Sequence, residues 1–393
     1  MHSTEKMRMN VPRSTSRELM IEFAEITGLL PVGQFPKRYL WTDAFAVCNF
    51  LELFCRTGEN RYQKLALQLV DQVHTVLGRH REDDGRTGWI SGLDEQTCKL
   101  HPTRGGLRIG KKLNERQASD HYDEQLEWDR DGQYYHYLTK WMHALSRVSR
   151  VTGDTTYVGW AIELAKTVHN RFTYISPVDG KKYMYWKMSI DLSRPLVPAM
   201  GQHDPLNGFI TYNELQMSAT GKRSADLQAE IVDMTGICRG QNWATDDPLG
   251  IGGLLSDAYR LAQIIDSGYL EQSDLLEDLL RYSLTGLQSF IKSDSLSLPA
   301  EYRLAFREIG LCIGLHGIER LQDLLEKTSR LCNIYPGLPE YLTMLLQYIP
   351  LTDLIENFWL EPEHRRTASW TEHRDINMVM LATSLLPDGF LRV

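Results

Sequence analysis

This sequence of 393 residues has no long apolar run and no excess of basic residues. No apolar run reaches the roughly 20 residues that a membrane-spanning helix needs, which excludes a protein that crosses the membrane as helices. The net charge is −8, which argues against nucleic acid and anionic membranes as partners, since both require a basic surface. Residues 1–16 lack the apolar core of a signal peptide, and residues 1–13 are predicted to be disordered.

Paired cysteines and linker segments are also missing. No stretch rich in proline, glycine or serine divides the chain, so we predict one domain over residues 1–393. No two of the six cysteines form a Cys-x-x-Cys pair. This spacing predicts reduced, mostly buried thiols in a cytoplasmic protein. They are Cys48, Cys55, Cys98, Cys238, Cys312 and Cys332. A hydrophobic content of 42% with 24% charged residues is typical of a soluble protein with a large core.

Residues 127–154 contain the clearest local pattern of the chain. An acidic and aromatic opening leads into apolar residues that recur at steps of four and three, which predicts one buried helix face. These residues are Tyr134, Leu138, Trp141, Leu145 and Val148. The stretch ends at Thr152-Gly153-Asp154, where glycine favours the left-handed end of a helix and aspartate can cap the next one.

The same pattern occurs a second time, 95 residues earlier (152 − 57 = 95). Thr57-Gly58-Glu59 aligns with Thr152-Gly153-Asp154, and five residues of the following helix align as well. The aligned pairs are Tyr62 with Tyr157, Ala66 with Ala161, Leu69 with Leu164, Val73 with Val168 and His74 with His169. The repeating unit is therefore a helical hairpin, and such repeats determine the architecture of a fold.

Further hairpins are predicted along the chain after a short helix over 16–29. The third covers 209–219 and 225–234 with a turn at 220–222, and the fourth covers 250–265 and 274–290. The fifth covers 301–315 and 318–331, and the sixth uses 338–347 and 370–386. Six helical hairpins predict an all-α (α/α)6 barrel. Two long segments interrupt them, 81–130 with strand-like pieces at 88–90 and 107–109, and 173–206 with a β-hairpin turning at Asp179-Gly180.

The hairpin repeat predicts where chemistry occurs. Short turns within hairpins lie at one end of the barrel, so the long segments and the starts of the inner helices lie at the other end. Carboxylates and aromatic rings gather just before those helices, and this combination suits sugars, whose apolar faces stack on rings. The residues are Trp41, Asp43, Trp128, Asp129, Asp131, His203, Asp204, Trp243, Asp246, Asp247, Glu301, Trp370, Glu372 and His373.

Two motifs resemble those of a known group. Arg38-Tyr-Leu-Trp41-Thr42 is similar to the Arg-x-x-Trp-Thr opening of an inner helix in N-acylglucosamine and cellobiose 2-epimerases. Trp370-Thr-Glu-His373-Arg374 resembles the C-terminal segment that carries a catalytic histidine in these enzymes. The His-x-x-Glu motif is not reproduced, because Asp204-Pro205-Leu206 follows His203. The resemblance implies the fold of the six-hairpin glycosidase-like (α/α)6 barrels.

Glycoside hydrolysis is the first expected reaction. It requires one protonated and one ionised carboxyl group on either side of the bond, and crowded acids raise each other's pKa. Asp131 together with Asp129 or Asp247 is the predicted pair. The residues expected to bind the sugar are Arg38, Trp41, Trp128, His136, Trp243, Trp370 and Arg374.

Sugar epimerisation or isomerisation is the second expected reaction. A proton is removed beside a carbonyl and returned to the other face, a task that suits histidine because its pKa lies near neutral pH. His203 and His373 are the candidate bases, with Arg38 or Arg374 stabilising the enediolate oxygen. We expect no cofactor in either case. The zinc-bearing relatives of this barrel use a Cys and a Cys-His pair, and His316 has no neighbouring cysteine, which predicts no zinc.

Structural roles and a non-catalytic function are the alternatives. Acids before helices commonly cap free backbone N–H groups, and Asp246-Asp247-Pro248 has the pattern of such a cap. Trp41 and Trp141 also suit the core, and His74 and His169 are interpreted as packing residues. His136 and His143, seven residues apart, share a helix face and suit either the mouth or the core. Helical repeats also serve as binding scaffolds, so a carbohydrate- or protein-binding barrel is the third hypothesis.

Overall fold

The computed structural model describes residues 15–33, 35–219, 226–271 and 273–393. Residues 1–14, which include the segment predicted to be disordered, and the predicted turn at 220–222 lie outside the described residues. The chain divides into two compact units, Thr27–Gln241 and Met1–Ile26 with Asn242–Val393. The prediction of a single domain stays a prediction. Helix dominates both units, which confirms the predicted all-α class.

The unit Thr27–Gln241 is built from three helical hairpins and their connections. Its helices are α2 (Leu40–Thr57), α3 (Asn60–Leu77), α4 (Glu95–Leu100), α5 (Glu124–Asp129), α6 (Tyr135–Thr152), α7 (Thr156–Phe172), α8 (Asp204–Ser218) and α9 (Gln228–Cys238). Helices α2, α6 and α8 are buried along most of their length and pack side by side. Helices α3 and α7 bury a single face, as expected for an outer layer.

Five short strands lie in the connections of this unit. They are β1 (Gln133–Tyr134), β2 (Thr173–Ile175), β3 (Lys182–Met184), β4 (Lys187–Met188) and β5 (Pro195–Val197). Strands β2 and β3 form the predicted hairpin, with Gly180 at φ 68° in its turn. The sheet β1-β4-β5 was not predicted. Of the two predicted strand-like pieces, 88–90 contributes one isolated bridge and 107–109 has no assigned strand.

The unit Met1–Ile26 with Asn242–Val393 contains the remaining helices. Helix α1 covers 15–26. The others are α10 (Pro248–Asp266), α11 (Leu275–Lys292), α12 (Ala305–Lys327), α13 (Arg330–Ile334), α14 (Leu338–Leu346), α15 (Pro350–Leu360), α16 (Ala368–Thr371), α17 (Arg374–Leu385) and α18 (Asp388–Leu391). Three 3₁₀ turns lie at Ser295–Ser297, Ala300–Tyr302 and His364–Arg366. Helix α12 packs against both α10 and α17, which forms an inner layer.

The repeated turn has the same hydrogen bonds in both copies. Thr57 Oγ1 donates to Leu53 O (2.7 Å), and Thr152 Oγ1 donates to Val148 O (2.8 Å). Each threonine Oγ1 then accepts the N–H of the second residue after it, at 3.1 and 3.2 Å. Gly58 and Gly153 adopt φ of 70° and 76°, the left-handed helix ends predicted from the sequence.

The fifth and sixth predicted hairpins are wrong in detail. Residues 305–327 form the continuous helix α12, without the expected break near His316. Gly317 remains helical, and a Cβ at this position would make an ordinary van der Waals contact, 3.5 Å from the carbonyl oxygen of Leu255 on α10. Helix α17 does not pair with 338–347. It lies beside α1, where Glu22 forms an ion pair with Arg374.

Candidate functional site

Three inner helices of the unit Thr27–Gln241 begin close together. Tyr39, which precedes α2, shares a hydrogen bond of 2.7 Å with the hydroxyl of Tyr137 in the first turn of α6. His136, also in that turn, places Nδ1 3.5 Å from Oδ1 of Asp204, the first residue of α8. The predicted gathering of inner-helix N-termini is therefore observed within this unit.

A continuous group of rings surrounds this meeting point. We call it the aromatic cluster and define it by Tyr39, Trp41, Trp128, Tyr134, Tyr137 and Trp186. Adjacent ring centroids lie 4.9 to 6.4 Å apart, in stacked, tilted and edge-to-face arrangements. The ring of His136 joins the cluster, 4.6 Å from Tyr137 and 5.6 Å from Tyr134. Trp128 is 49% exposed, so the cluster extends from the core to the surface.

His136 and Asp204 form a pair of titratable side chains with one accessible member. The side chain of His136 is 29% exposed, and that of Asp204 is 5% exposed. Within the described residues, the buried atoms His136 Nδ1 and Asp204 Oδ2 have no hydrogen-bond partner. Gly201 permits this arrangement, because a Cβ there would lie 2.6 Å from the carboxyl carbon of Asp204. Catalytic pairs are often this loose before substrate is bound.

Two lysines place positive charge beside the rings. Lys111 Nζ lies 5.7 Å from the centroid of the Tyr39 ring. Burial lowers the pKa of Lys111, and the charges of Asp129 and Asp131 oppose that effect. Lys187 is fully buried and donates to Glu127 Oε1 (2.8 Å), and burial lowers its pKa too, against the pull of that carboxylate. Lys187 thus has a resident partner, whereas Lys111 is half-buried and borders the cluster.

The tyrosine hydroxyls of the cluster are held in their neutral form. Burial raises the pKa of Tyr39 to about 12, although its hydrogen bond with Tyr137 acts in the opposite direction. Burial also raises the pKa values of Tyr137 and Tyr134 above the usual range. At neutral pH these hydroxyls can therefore donate and accept hydrogen bonds, as sugar hydroxyls require.

Asp131 lies in a framework of donors. Its fully buried carboxylate accepts from Arg108 Nη1 at 2.9 Å and from Arg81 Nη1 at 3.3 Å. The backbone N–H groups of Gly110 and Gly132 donate to Oδ1 at 3.0 and 3.1 Å. Both carboxylate oxygens therefore have partners within the protein and are shielded from solvent, which does not suit a group that acts on a substrate.

The other predicted residues of this unit lie either in the buried interior or at the surface. Arg38 is 3% exposed, donates to Thr27 O (3.0 Å) and lies 3.4 Å from Asp43, so it is buried away from any substrate. Trp41 is 8% exposed and belongs to the aromatic cluster. Trp128 and Asp129 are exposed. His203 is half-buried and directly precedes α8, where its carbonyl accepts from Asn207 N at 2.9 Å.

The predicted residues of the unit Met1–Ile26 with Asn242–Val393 have mainly structural contacts. Asp247 accepts from Gly250 N (3.1 Å), the cap expected as the alternative, and from Arg307 Nη1 (2.6 Å). Trp243 and Trp370 are 1% and 3% exposed, so the structure places these expected sugar contacts in the core. His373 is half-buried with its ring centroid 5.5 Å from that of Phe306, and Arg374 pairs with Glu22.

Sequence reasoning missed Lys111 and the pair of Tyr39 and Tyr137. Tyr39 lies inside the Arg38–Thr42 motif, and Tyr137 directly follows His136. Both tyrosines could therefore have been identified as candidates from their neighbours in the sequence. Lys111 lies in the long segment 81–130, where no periodicity marks it. Among the described residues, no three His, Cys, Asp or Glu side chains are grouped to hold a metal ion. No helix in those ranges is both long and apolar enough to span a bilayer.

Comparison with known proteins finds likeness in structure only. No family model matches the chain, and no curated protein matches it. Cellobiose 2-epimerase from Spirochaeta thermophila DSM 6192 is 14% identical, with 95% of this chain and 98% of that chain covered and a TM-score of 0.48. A D-mannose isomerase is 11% identical, with 84% and 85% covered and a TM-score of 0.47. An unsaturated glucuronyl hydrolase specific for heparin is 13% identical, with 69% of this chain and 82% of that chain covered and a TM-score of 0.33.

The resemblance to the six-hairpin glycosidase-like (α/α)6 barrels stays an expectation from the sequence motifs. The identities and TM-scores are too low to transfer a reaction or the role of any residue to this chain.

Proposed function

We propose that this chain is a carbohydrate-active enzyme that isomerises or epimerises a sugar, with His136 transferring the proton beside the carbonyl carbon. The observation that carries the proposal is the pair of His136 and Asp204 within the aromatic cluster. An accessible imidazole beside a buried carboxylate is the arrangement that a general base requires.

Asp204 is proposed to set the tautomer of His136. With Nδ1 facing the carboxylate, the proton resides on Nδ1 and the lone pair on Nε2. Nε2 then accepts the proton from the carbon next to the sugar carbonyl. His203, immediately before Asp204, is the proposed second group that returns a proton to the other face in an epimerisation.

The aromatic cluster is proposed to hold the sugar. The rings offer flat apolar faces, and the hydroxyls of Tyr39 and Tyr137 are neutral donors and acceptors for sugar hydroxyls. Lys111 lies beside Tyr39 and is proposed to stabilise the negative oxygen of the enediolate. Its half-buried ammonium group acts more strongly there than it would in water.

Hydrolysis by a pair of carboxylates, the first expectation from the sequence, has less support. That reaction requires one carboxyl group that gives up a proton. Asp131 is enclosed by two guanidinium and two backbone donors, and Asp247 caps a helix and pairs with Arg307. Asp129 is the exposed member of the predicted set and lies near Lys111.

A proton NMR time course in D2O tests the proposal. The full chain is incubated with a panel of mono- and disaccharides, and we expect deuterium to enter at C2 of one sugar without bond cleavage. His136→Asn should reduce the exchange by about 10²- to 10⁴-fold, the usual contribution of a general base. His101→Asn is the matched control, because His101 also pairs with a carboxylate, Glu163 at 2.7 Å, but lies outside the cluster.

Three results would contradict the proposal. A new reducing-end signal without deuterium at C2 would indicate glycoside cleavage. Equal exchange in wild type and His136→Asn would remove His136 as the base. No exchange and no cleavage, combined with saturable sugar binding, would indicate a binding protein.

A further inference from the structure

A groove of about 390 Å³ lies beside α1 in the unit Met1–Ile26 with Asn242–Val393. Its volume is in the range of small-molecule sites. Arg365 and Arg366 contribute from the 3₁₀ turn His364–Arg366, and Arg374 contributes from the start of α17. Glu22 on α1 is the carboxylate among the lining residues. The groove is lined by three guanidinium groups and one carboxylate, so its local charge is positive although the whole chain carries a net charge of −8.

Two of these arginines lack an acidic partner. Among the described residues, no carboxylate lies within ion-pair distance of Arg365 or Arg366. Arg365 Nη2 donates to Leu360 O at 2.9 Å, whereas its Nε is buried without a hydrogen-bond partner. A buried N–H group left without a partner costs free energy, so a bound acceptor at Nε would stabilise this arrangement. Arg366 is exposed and has only backbone contacts.

The contact of the third arginine, Arg374, shows that an anionic group fits in the groove. Arg374 forms an ion pair with Glu22, and the two side chains are 50% and 41% exposed. An exposed ion pair contributes little to stability, so a stronger anion can displace the Glu22 carboxylate at small cost. Leu19 and Met378 line the same groove and provide it with an apolar side.

We propose that this groove binds the phosphoryl group of a small phosphorylated metabolite. Two unpaired guanidinium groups match a dianionic phosphate monoester better than a monoanionic carboxylate, and the planar guanidinium forms paired hydrogen bonds with phosphate oxygens. The apolar side then contacts the carbon skeleton of the ligand. The inference does not depend on the reaction proposed for His136, because the two sites share no residue.

Calorimetric titration of the full chain at low salt tests the proposal. The probes are glucose 6-phosphate and inorganic phosphate, with glucose and acetate for comparison. We expect a site for glucose 6-phosphate and, more weakly, for inorganic phosphate that depends on Arg366. Acetate should not bind there, and glucose binding at the proposed sugar site should not change in Arg366→Gln. Arg366→Gln should weaken binding by about tenfold, the loss expected for one charge-assisted contact.

Two further variants sharpen the test. Glu22→Gln should tighten the binding of glucose 6-phosphate, because it removes the competing carboxylate from Arg374. Arg281→Gln is the control: Arg281 belongs to the same unit, is exposed and pairs with Asp278 at 2.6 Å, and its loss should leave binding unchanged. Arg366 has no side-chain partner among the described residues, so Arg366→Gln should fold like the wild type.

Several outcomes would overturn the inference. Absence of glucose 6-phosphate binding at millimolar concentration would do so. Binding of glucose 6-phosphate that is equal in wild type and Arg366→Gln would locate the ligand elsewhere. Glucose binding that weakens in Arg366→Gln as much as glucose 6-phosphate binding would exclude recognition of the phosphoryl group.

Discussion

Gly252 on α10 and Gly314 on α12 leave no space for a side chain between their two helices. A Cβ on Gly314 would lie 2.6 Å from Cα of Gly252, and one on Gly252 would lie 2.8 Å from Cα of Leu311. The contact between α10 and α12 is the most extensive between helices in the unit Met1–Ile26 with Asn242–Val393. Because the neighbours are backbone atoms rather than flexible side chains, they cannot move aside without shifting a helix.

Gly252→Ala is therefore expected to destabilise the protein. Overpacking of this kind costs roughly 1–3 kcal/mol, and we expect the upper part of that range because the added methyl meets backbone. Urea denaturation followed by circular dichroism measures the change. The matched control is Gly253→Ala, where an added Cβ meets nothing within 4 Å. This control should be neutral or stabilising by about 0.5–1 kcal/mol, since alanine favours the helix. Equal effects of the two changes would contradict the packing argument.

Asp131→Asn is expected to destabilise the fold rather than act on turnover alone. The asparagine would leave the largely buried Arg108 without a negative partner and would remove the buried one of the two carboxylates that pair with Arg81. Removing one partner of a buried ion pair costs about 3–5 kcal/mol. Thermal and urea denaturation measure the loss.

The control for this change is Asp83→Asn. Asp83 also pairs with Arg81, at 2.6 Å, but its side chain is 56% exposed. An exposed ion pair is worth about 0–1 kcal/mol, so the control should have little effect on stability. If Asp131→Asn were as stable as wild type but inactive, Asp131 would return as the candidate acid for hydrolysis.

The stability of the unit Met1–Ile26 with Asn242–Val393 should fall at alkaline pH. His316 on α12 lies between two carboxylates, with Nδ1 2.7 Å from Glu319 and Nε2 2.9 Å from Glu356. Burial alone would lower the pKa of His316, but the two carboxylates outweigh it and raise the pKa to about 9. A folded pKa above the unfolded value of about 6.5 means that the stabilisation is complete below pH 6.5 and is lost as the pH rises through 9.

Unfolding free energies measured between pH 6 and pH 10 test this expectation. We expect a loss on the order of 3 kcal/mol across the range, the free energy that corresponds to this change in pKa. A variant at His316 assigns the loss to this residue. His316→Gln lowers stability at pH 6 and should flatten the curve between pH 7 and pH 9. A wild-type curve as flat as that of the variant would show that His316 does not hold a proton in the folded state.

The hairpin repeat was predictable because its signals are local. The Thr-Gly-acid turns at 57–59 and 152–154 have their hydrogen bonds and left-handed glycines within one helical turn. The fifth and sixth hairpins were not predictable from such signals. Gly317 looks like a helix end in sequence, but α12 continues through it. Helix α17 packs against α12, and its first residue pairs with Glu22 of α1, at the opposite end of the chain.

The candidate site was predictable in part for a similar reason. His136 and Asp204 lie at the starts of predicted inner helices, where the repeat places them together. The role of Asp131 was not predictable, because its partners Arg81 and Arg108 come from a loop whose path no periodicity encodes. Lys111 belongs to the same loop. Trp128 is exposed, whereas Trp243 and Trp370 are buried. This difference depends on packing between elements that are distant in the sequence.

Asp204→Asn tests whether His136 acts through its carboxylate partner. We expect kcat to fall at least tenfold with little change in KM, because asparagine no longer fixes the Nδ1–H tautomer or stabilises the imidazolium. Asp204→Glu should recover part of the activity, which a purely structural role would not predict. Steady-state kinetics on the sugar identified by deuterium exchange measure these effects, with urea denaturation to confirm that both variants fold. Glu163→Gln, which alters the pair of Glu163 with His101 outside the aromatic cluster, should leave kcat unchanged. If Asp204→Asn and Glu163→Gln gave the same kcat as wild type, the His136–Asp204 pair would not be the catalytic unit.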